Sequence, residues 1–128
     1  MSRYFGDQLR RLRLEQGLTQ RDLAAAVGLS QAQISLHEKG EDLPAPAVRA
    51  KYAHALGISA EDLEEMIDRG RLKEFLRASG TLSEEAKRSI EDYVDFAWNR
   101  DREARGQQRR QGEVGKDEGS GDAKGLQE

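Results

Sequence analysis

The chain has 128 residues, with 21 Lys or Arg against 24 Asp or Glu, a net charge of −3 and no cysteine. Hydrophobic residues other than Gly make up 36% and charged residues 35%, the latter against ~25% in an average domain, so the composition predicts a small core, a wet surface and some exposed polar chain. Lack of cysteine excludes a disulfide framework, thiol catalysis and thiolate zinc sites, and it points to a reducing compartment. The longest apolar run, Leu23-Ala24-Ala25-Ala26-Val27, falls far short of the ~20 residues that span a bilayer, and residues 1–7 lack a signal peptide's apolar stretch. A cytoplasmic protein without membrane contact is expected. Residues 1–60 hold 8 basic and 6 acidic side chains, +2, whereas residues 61–128 hold 13 and 18, −5. Arg3, Arg10, Arg11 and Arg13 cluster at the start, so a local basic surface is compatible with an acidic chain.

Phe5, Leu9 and Leu12 share one face of a first helix, 3–16, which Gly17 closes. Thr19 followed by Asp22 has the form of a capping box for a second helix, 20–27, carrying Leu23, Ala24 and Val27 and ending at Gly28. Ser30 caps a third helix that Gly40 terminates. Pro44 and Pro46 mark a loop, after which Val48, Tyr52, Ala55 and Leu56 repeat at helical spacing up to Gly57. Ser59 caps a fifth helix with Leu63, Met66 and Ile67, and no segment alternates with the period of a strand. An all-α module over 1–68 is predicted. A connector, 69–82, contains Gly70, Gly80 and a short helix with Leu72, Phe75 and Leu76 on one side. Ser83 begins the longest helix, about 84–105, whose Ala86, Ile90, Tyr93, Val94, Ala97 and Trp98 form one narrow apolar stripe. Residues 106–128 contain six Gly and few large aliphatics, too little to offset chain entropy, so a disordered tail is expected.

Two helices joined by Gly28-Leu29-Ser30 have the form of a helix-turn-helix, whose second helix enters the DNA major groove. The stretch Leu18 to Gly40, with Gln20, Leu23-Ala24, Gly28, Ser30, Ile34 and Glu38 in register, resembles the motif of the Cro/CI-type, or XRE-type, transcriptional regulators. The likeness extends through Leu56-Gly57-Ile58-Ser59 to Leu63 and covers about residues 7–67. It implies a five-helix lambda-repressor-like DNA-binding domain, of a bacterium or phage. Without it, the third helix already offers Gln31, Ala32, Gln33, Ser35, Leu36 and Lys39 away from Ile34 and His37. Glutamine can bond an adenine edge at two points, and small or apolar side chains accept thymine methyls.

The resemblance assigns base reading to Gln31 and Ala32, with Gln33 and Leu36 as neighbours, although Leu36 stands where the family often has a polar residue. It assigns DNA phosphate to Gln20 at the second helix's N-terminus, with Arg10, Ser35 and Lys39 reaching the backbone. It pairs Arg13 with Glu38 in a structural salt bridge. His37 and Arg49 each stand at a position commonly aliphatic or apolar. Neither His37 nor His54 has metal-ligand company at a workable spacing, and no nucleotide-binding or hydrolase motif occurs, so no metal, cofactor or catalysis is expected.

One such module touches few phosphates, so a homodimer on a near-palindromic operator is expected, with Ile90, Tyr93, Val94, Ala97 and Trp98 as its dimerisation seam. Folding of this seam back onto its own domain is the rival arrangement. The functional expectation is a sequence-specific transcriptional regulator of double-stranded DNA, most simply a repressor. The alternative is an antitoxin or anti-factor that binds a protein partner, a toxin or metallopeptidase, and regulates its own operon.

Overall fold

The computed structural model describes the backbone of residues 3–127 and the side chains of residues 3–107. These residues form six helices: α1 (Arg3–Glu15), α2 (Gln20–Val27), α3 (Gln31–Lys39), α4 (Pro46–Leu56), α5 (Ala60–Ala78) and α6 (Glu84–Gln127). The fold is all-α, and it divides into two compact units, Met1–Ser83 and Glu84–Glu128.

Helix ends in the first unit follow the local chemistry of the sequence. Thr19 and Asp22 cap α2 reciprocally, and Ser59 accepts from the Asp62 N–H at 3.0 Å to open α5. At the turn between α2 and α3, Gly28 adopts φ 73°, a left-handed conformation that costs other residues about 1–2 kcal/mol, and the Leu29 N–H then reaches the Ala24 carbonyl at 3.0 Å. The chain thus leaves one helix and enters the next within three residues.

The apolar faces meet in one core. Phe5 and Leu9 of α1, Leu23, Ala24 and Val27 of α2, Ile34 of α3, Tyr52, Ala53 and Leu56 of α4, and Leu63, Met66 and Ile67 of α5 are all buried in it. Helix α1 packs on α3 and α5, α2 on α3 and α4, and α4 on α5. Burial of each larger side chain is worth about 1.5–3 kcal/mol. Arg49, at its commonly aliphatic position, instead fastens α4: its Nε donates to the Pro44 carbonyl at 3.1 Å and its Nη1 lies 3.2 Å from Glu64 of α5.

One element differs from expectation. The connector expected over 69–82 does not begin at 69, because α5 runs unbroken from Ala60 to Ala78 and takes in most of those residues. Leu63, Met66, Ile67, Gly70, Lys73 and Leu76 make a continuous buried stripe, and burial on both sides of the glycine outweighs its helical cost of about 1 kcal/mol. Helix α6, Glu84–Gln127, contains the expected 84–105 segment. The side chains of most of the expected tail, 106–128, lie outside the described residues.

Gly6 reveals a close approach that no local pattern announces. A Cβ there would meet the Glu38 carbonyl oxygen, with the Glu38 carbonyl carbon at 2.8 Å and the Gly40 nitrogen at 2.9 Å. These atoms belong to backbone, which cannot swing aside. His37 is the other unexpected core feature: its Nδ1 is 2.6 Å from the Tyr52 hydroxyl, the rings meet edge to face, and its Nε2 lies 3.9 Å from Asp42. Burial holds the His37 pKa below its usual range, against a smaller upward pull from Asp42.

Two outcomes follow. Gly6→Ala lowers stability by roughly 1–3 kcal/mol, as overpacking does, and a urea melt against wild type measures it. The lowered His37 pKa means that the unfolded chain binds a proton first, so this group's stabilising contribution is complete above the unfolded value of about 6.5 and is lost as pH falls through the lower folded value. Urea midpoints between pH 7.5 and 5.5 fall in wild type and flatten in His37→Leu.

Candidate nucleic-acid interface

Helices α2 and α3 set two N-termini on the surface of the first unit, and the sequence at each decides which groups face outward. At α2 the Thr19 hydroxyl accepts from the Asp22 N–H, and Asp22 accepts in return from the Thr19 N–H, both at 3.0 Å. The Thr19 N–H holds the Asp22 carboxyl below its usual pKa. The first N–H groups of the helix, at Gln20 and Arg21, lie outside this exchange. At α3 Ser30 and Gln33 form a second capping box.

Beneath these termini sits a buried ion pair. Arg13 Nε is 2.6 Å from Glu38 Oε2 and its Nη2 is 3.0 Å from Oε1, a two-pronged contact, while Nη1 donates to the Leu18 carbonyl at 2.8 Å. Hydrogen bonding to Glu38 raises the Arg13 pKa, and desolvation opposes it less strongly. Glu38 Oε1 also accepts from the Gln20 amide at 3.2 Å. One carboxylate therefore gathers α1, α2 and α3. The pairing of Arg13 with Glu38 stands where the family resemblance placed it.

Around this pair an open concavity of about 540 Å³ is lined by Arg3, Asp7, Arg10, Arg13, Gln20, Ser35, Glu38, Lys39 and Glu41. All four residues assigned to phosphate, Arg10, Gln20, Ser35 and Lys39, are brought together here. Arg10 and Lys39 are exposed, Ser35 and Gln20 half-buried. Since Arg13 and Glu38 cancel, Arg3, Arg10 and Lys39 face only Asp7 and Glu41, a mildly positive balance. Gln20 is not idle: its amide nitrogen is held on Glu38, which aims the side chain.

The residues assigned to base reading occupy the outer face of α3. Gln31, Ala32 and Gln33 are exposed, and Leu36 is 39% exposed. They differ in what they offer. The Gln31 side chain has no hydrogen bond among the described residues, whereas the Gln33 side-chain Oε1 is engaged by Ser30. The spacing Ser-x-x-Gln is itself a capping-box signature, so the signal for this second role lies in the sequence. His37 faces inward and plays no part in the surface.

Helix α6 is considered by itself. Of the expected seam, Tyr93 is 65% exposed, and Phe96, which the stripe omits, is 58% exposed. Their rings lie 6.4 Å apart and the Arg100 guanidinium sits 5.6 Å over Phe96. Ile90, Val94, Ala97 and Trp98 are less exposed.

Removing Arg13 strands the Glu38 charge in the interior. Arg13→Ala therefore costs about 3–5 kcal/mol of stability, read from urea melts in the absence of DNA, whereas Arg13→Met combined with Glu38→Leu recovers most of that loss.

The model of the helix-turn-helix domain family matches residues 5–66. The HTH-type transcriptional repressor RghR of Bacillus subtilis is 40% identical over 84 residues, 65% of this chain, which spans 61% of RghR's length. The HTH-type transcriptional regulator y4dJ of Sinorhizobium fredii is 38% identical over 63 residues, 49% of this chain and 82% of that protein. Among solved structures, the restriction-modification controller protein C.AhdI of Aeromonas hydrophila is similar at 35% identity and TM-score 0.45, over 47% of this chain and 91% of its own. With its matched domain, its capped turn and four-fifths of one regulator covered, the chain belongs to the helix-turn-helix transcriptional regulators.

Proposed function

We propose that the protein is a sequence-specific repressor that occupies a near-palindromic operator as a homodimer, in the cytoplasm of a bacterial cell. The observation that carries this reading is the placement of Gln31, Ala32 and Leu36 on the exposed face of α3, beside the concavity that gathers Arg10, Gln20, Ser35 and Lys39. In this reading α3 enters the major groove. Gln31 bonds an adenine edge through both halves of its amide, Ala32 and Leu36 lie against thymine methyls, and the concavity grips the phosphates that fix register. The likeness to RghR, named a repressor, supports repression by occupying the site.

Dimerisation through α6 supplies the second copy that a module with so few phosphate contacts needs for specific binding. Support for it comes from Tyr93 and Phe96, two large aromatic side chains left mostly in water on the helix that also carries Ile90, Val94, Ala97 and Trp98.

Selection of purified protein on random duplexes at about 150 mM salt tests the reading. The expected product is an inverted repeat with half-sites about one helical turn apart. On that site Gln31→Ala costs roughly 1–3 kcal/mol and relaxes preference at one base pair, while Gln20→Ala weakens all sequences alike. Selection of a single half-site refutes the dimer, and failure to enrich any sequence refutes operator binding and leaves a protein partner as the ligand.

A further inference from the structure

The capping box at the start of α3 determines how the Gln33 amide is turned. The Ser30 backbone N–H can only donate, so the Gln33 side-chain atom 2.9 Å from it is the carbonyl Oε1. The same oxygen lies 3.2 Å from the Ser30 hydroxyl, whose own oxygen accepts the Gln33 N–H at 3.2 Å. With its acceptor held on Ser30, this exposed side chain has only its NH2 group to present outward. Gln31, one residue into α3 and without such a tie, keeps donor and acceptor together.

We infer that Gln33 is a specificity-determining residue of the DNA site, a donor-only side chain that selects a keto base, guanine or thymine, while it caps the recognition helix. The inference rests on the operator-binding reading and assigns one position within it. Guanine shows two acceptors in the major groove, N7 and O6, and thymine shows O4. Adenine pairs one acceptor with a donor, and cytosine offers only the N4 amino group, which a second amino group cannot match. Gln31 and Gln33 are thus the same residue type with different readout, because one has lent its oxygen to the backbone.

The discriminating variant is Gln33→Glu. A glutamate at this position keeps the box, since one carboxylate oxygen replaces the amide oxygen at Ser30, while the other faces outward as an acceptor. Random-duplex selection with wild type, Gln33→Glu and Gln33→Ala, alongside thermal melts of each without DNA, reads both roles. Wild type prefers guanine or thymine at one position of each half-site by roughly fivefold or more. Gln33→Glu melts as wild type does but moves that single preference to cytosine, whose amino group it accepts; Gln33→Ala melts lower and loses the preference, with the rest of the site retained. A wild-type site in which no position changes in either variant overturns the inference and confines Gln33 to capping. If wild type enriches no site, the operator reading fails first, and that outcome is distinct from an enriched site indifferent to Gln33.

Discussion

The arrangement of the first unit depends on one buried carboxylate. Glu38, near the end of α3, takes two guanidinium hydrogen bonds from Arg13 of α1 and one amide hydrogen bond from Gln20 of α2. An unpaired charge at this depth is prohibitive, so the three helices have one low-energy way to meet. The Gly6 contact belongs to the same junction: the missing side chain lets the backbone of α1 settle on the Glu38 carbonyl. What the pair fixes is the angle at which α3 leaves the core. The outer face of α3 is therefore aimed from below, by residues that do not themselves need to touch a ligand.

Above that junction, short-range hydrogen bonds decide what the surface can recognise. Both helix N-termini in the motif are closed by reciprocal caps, at Thr19 with Asp22 and at Ser30 with Gln33. A cap satisfies backbone donors, but it also removes side-chain atoms from the inventory available outside. Of the three polar side chains near the start of α3, Ser30 and Gln33 are partly consumed in this way and Gln31 is not. Chemistry available for recognition is what secondary structure leaves over.

Much of this was legible in the sequence, and the boundary of legibility has a physical pattern. Features that act within about four residues were readable: the Thr19–Asp22 box, the glycine after each of α1 to α4, and the apolar stripes of Phe5 and Leu9 or Leu63 and Ile67. Arg13 and Glu38, 25 residues apart, became a pair only through resemblance to a family, since nothing local links them. The Gly6 approach and the bond between His37 and Tyr52 likewise join separate helices and leave no local trace. Gly70 was misleading for the opposite reason: its local penalty is real, but the buried stripe on either side overrides it. Gln33 had a readable signature, Ser-x-x-Gln, that competed with a second meaning for the same residue. The four phosphate candidates come from three different helices, and only the packing of those helices puts them around one concavity.

The charge of that concavity carries a consequence for how such a protein finds its target. Because Arg13 is cancelled by Glu38, and Asp7 and Glu41 offset two of the three cations that remain, few condensed counterions are released when duplex DNA arrives. Weak attraction to arbitrary phosphate shortens each chance encounter. On the operator-binding reading, the protein would then scan DNA by many brief collisions through solution, with little one-dimensional diffusion along the duplex. Residence time on a given stretch would be set by how well its base edges fit α3, so on that reading the kinetics of search and the accuracy of recognition rest on the same few uncharged side chains.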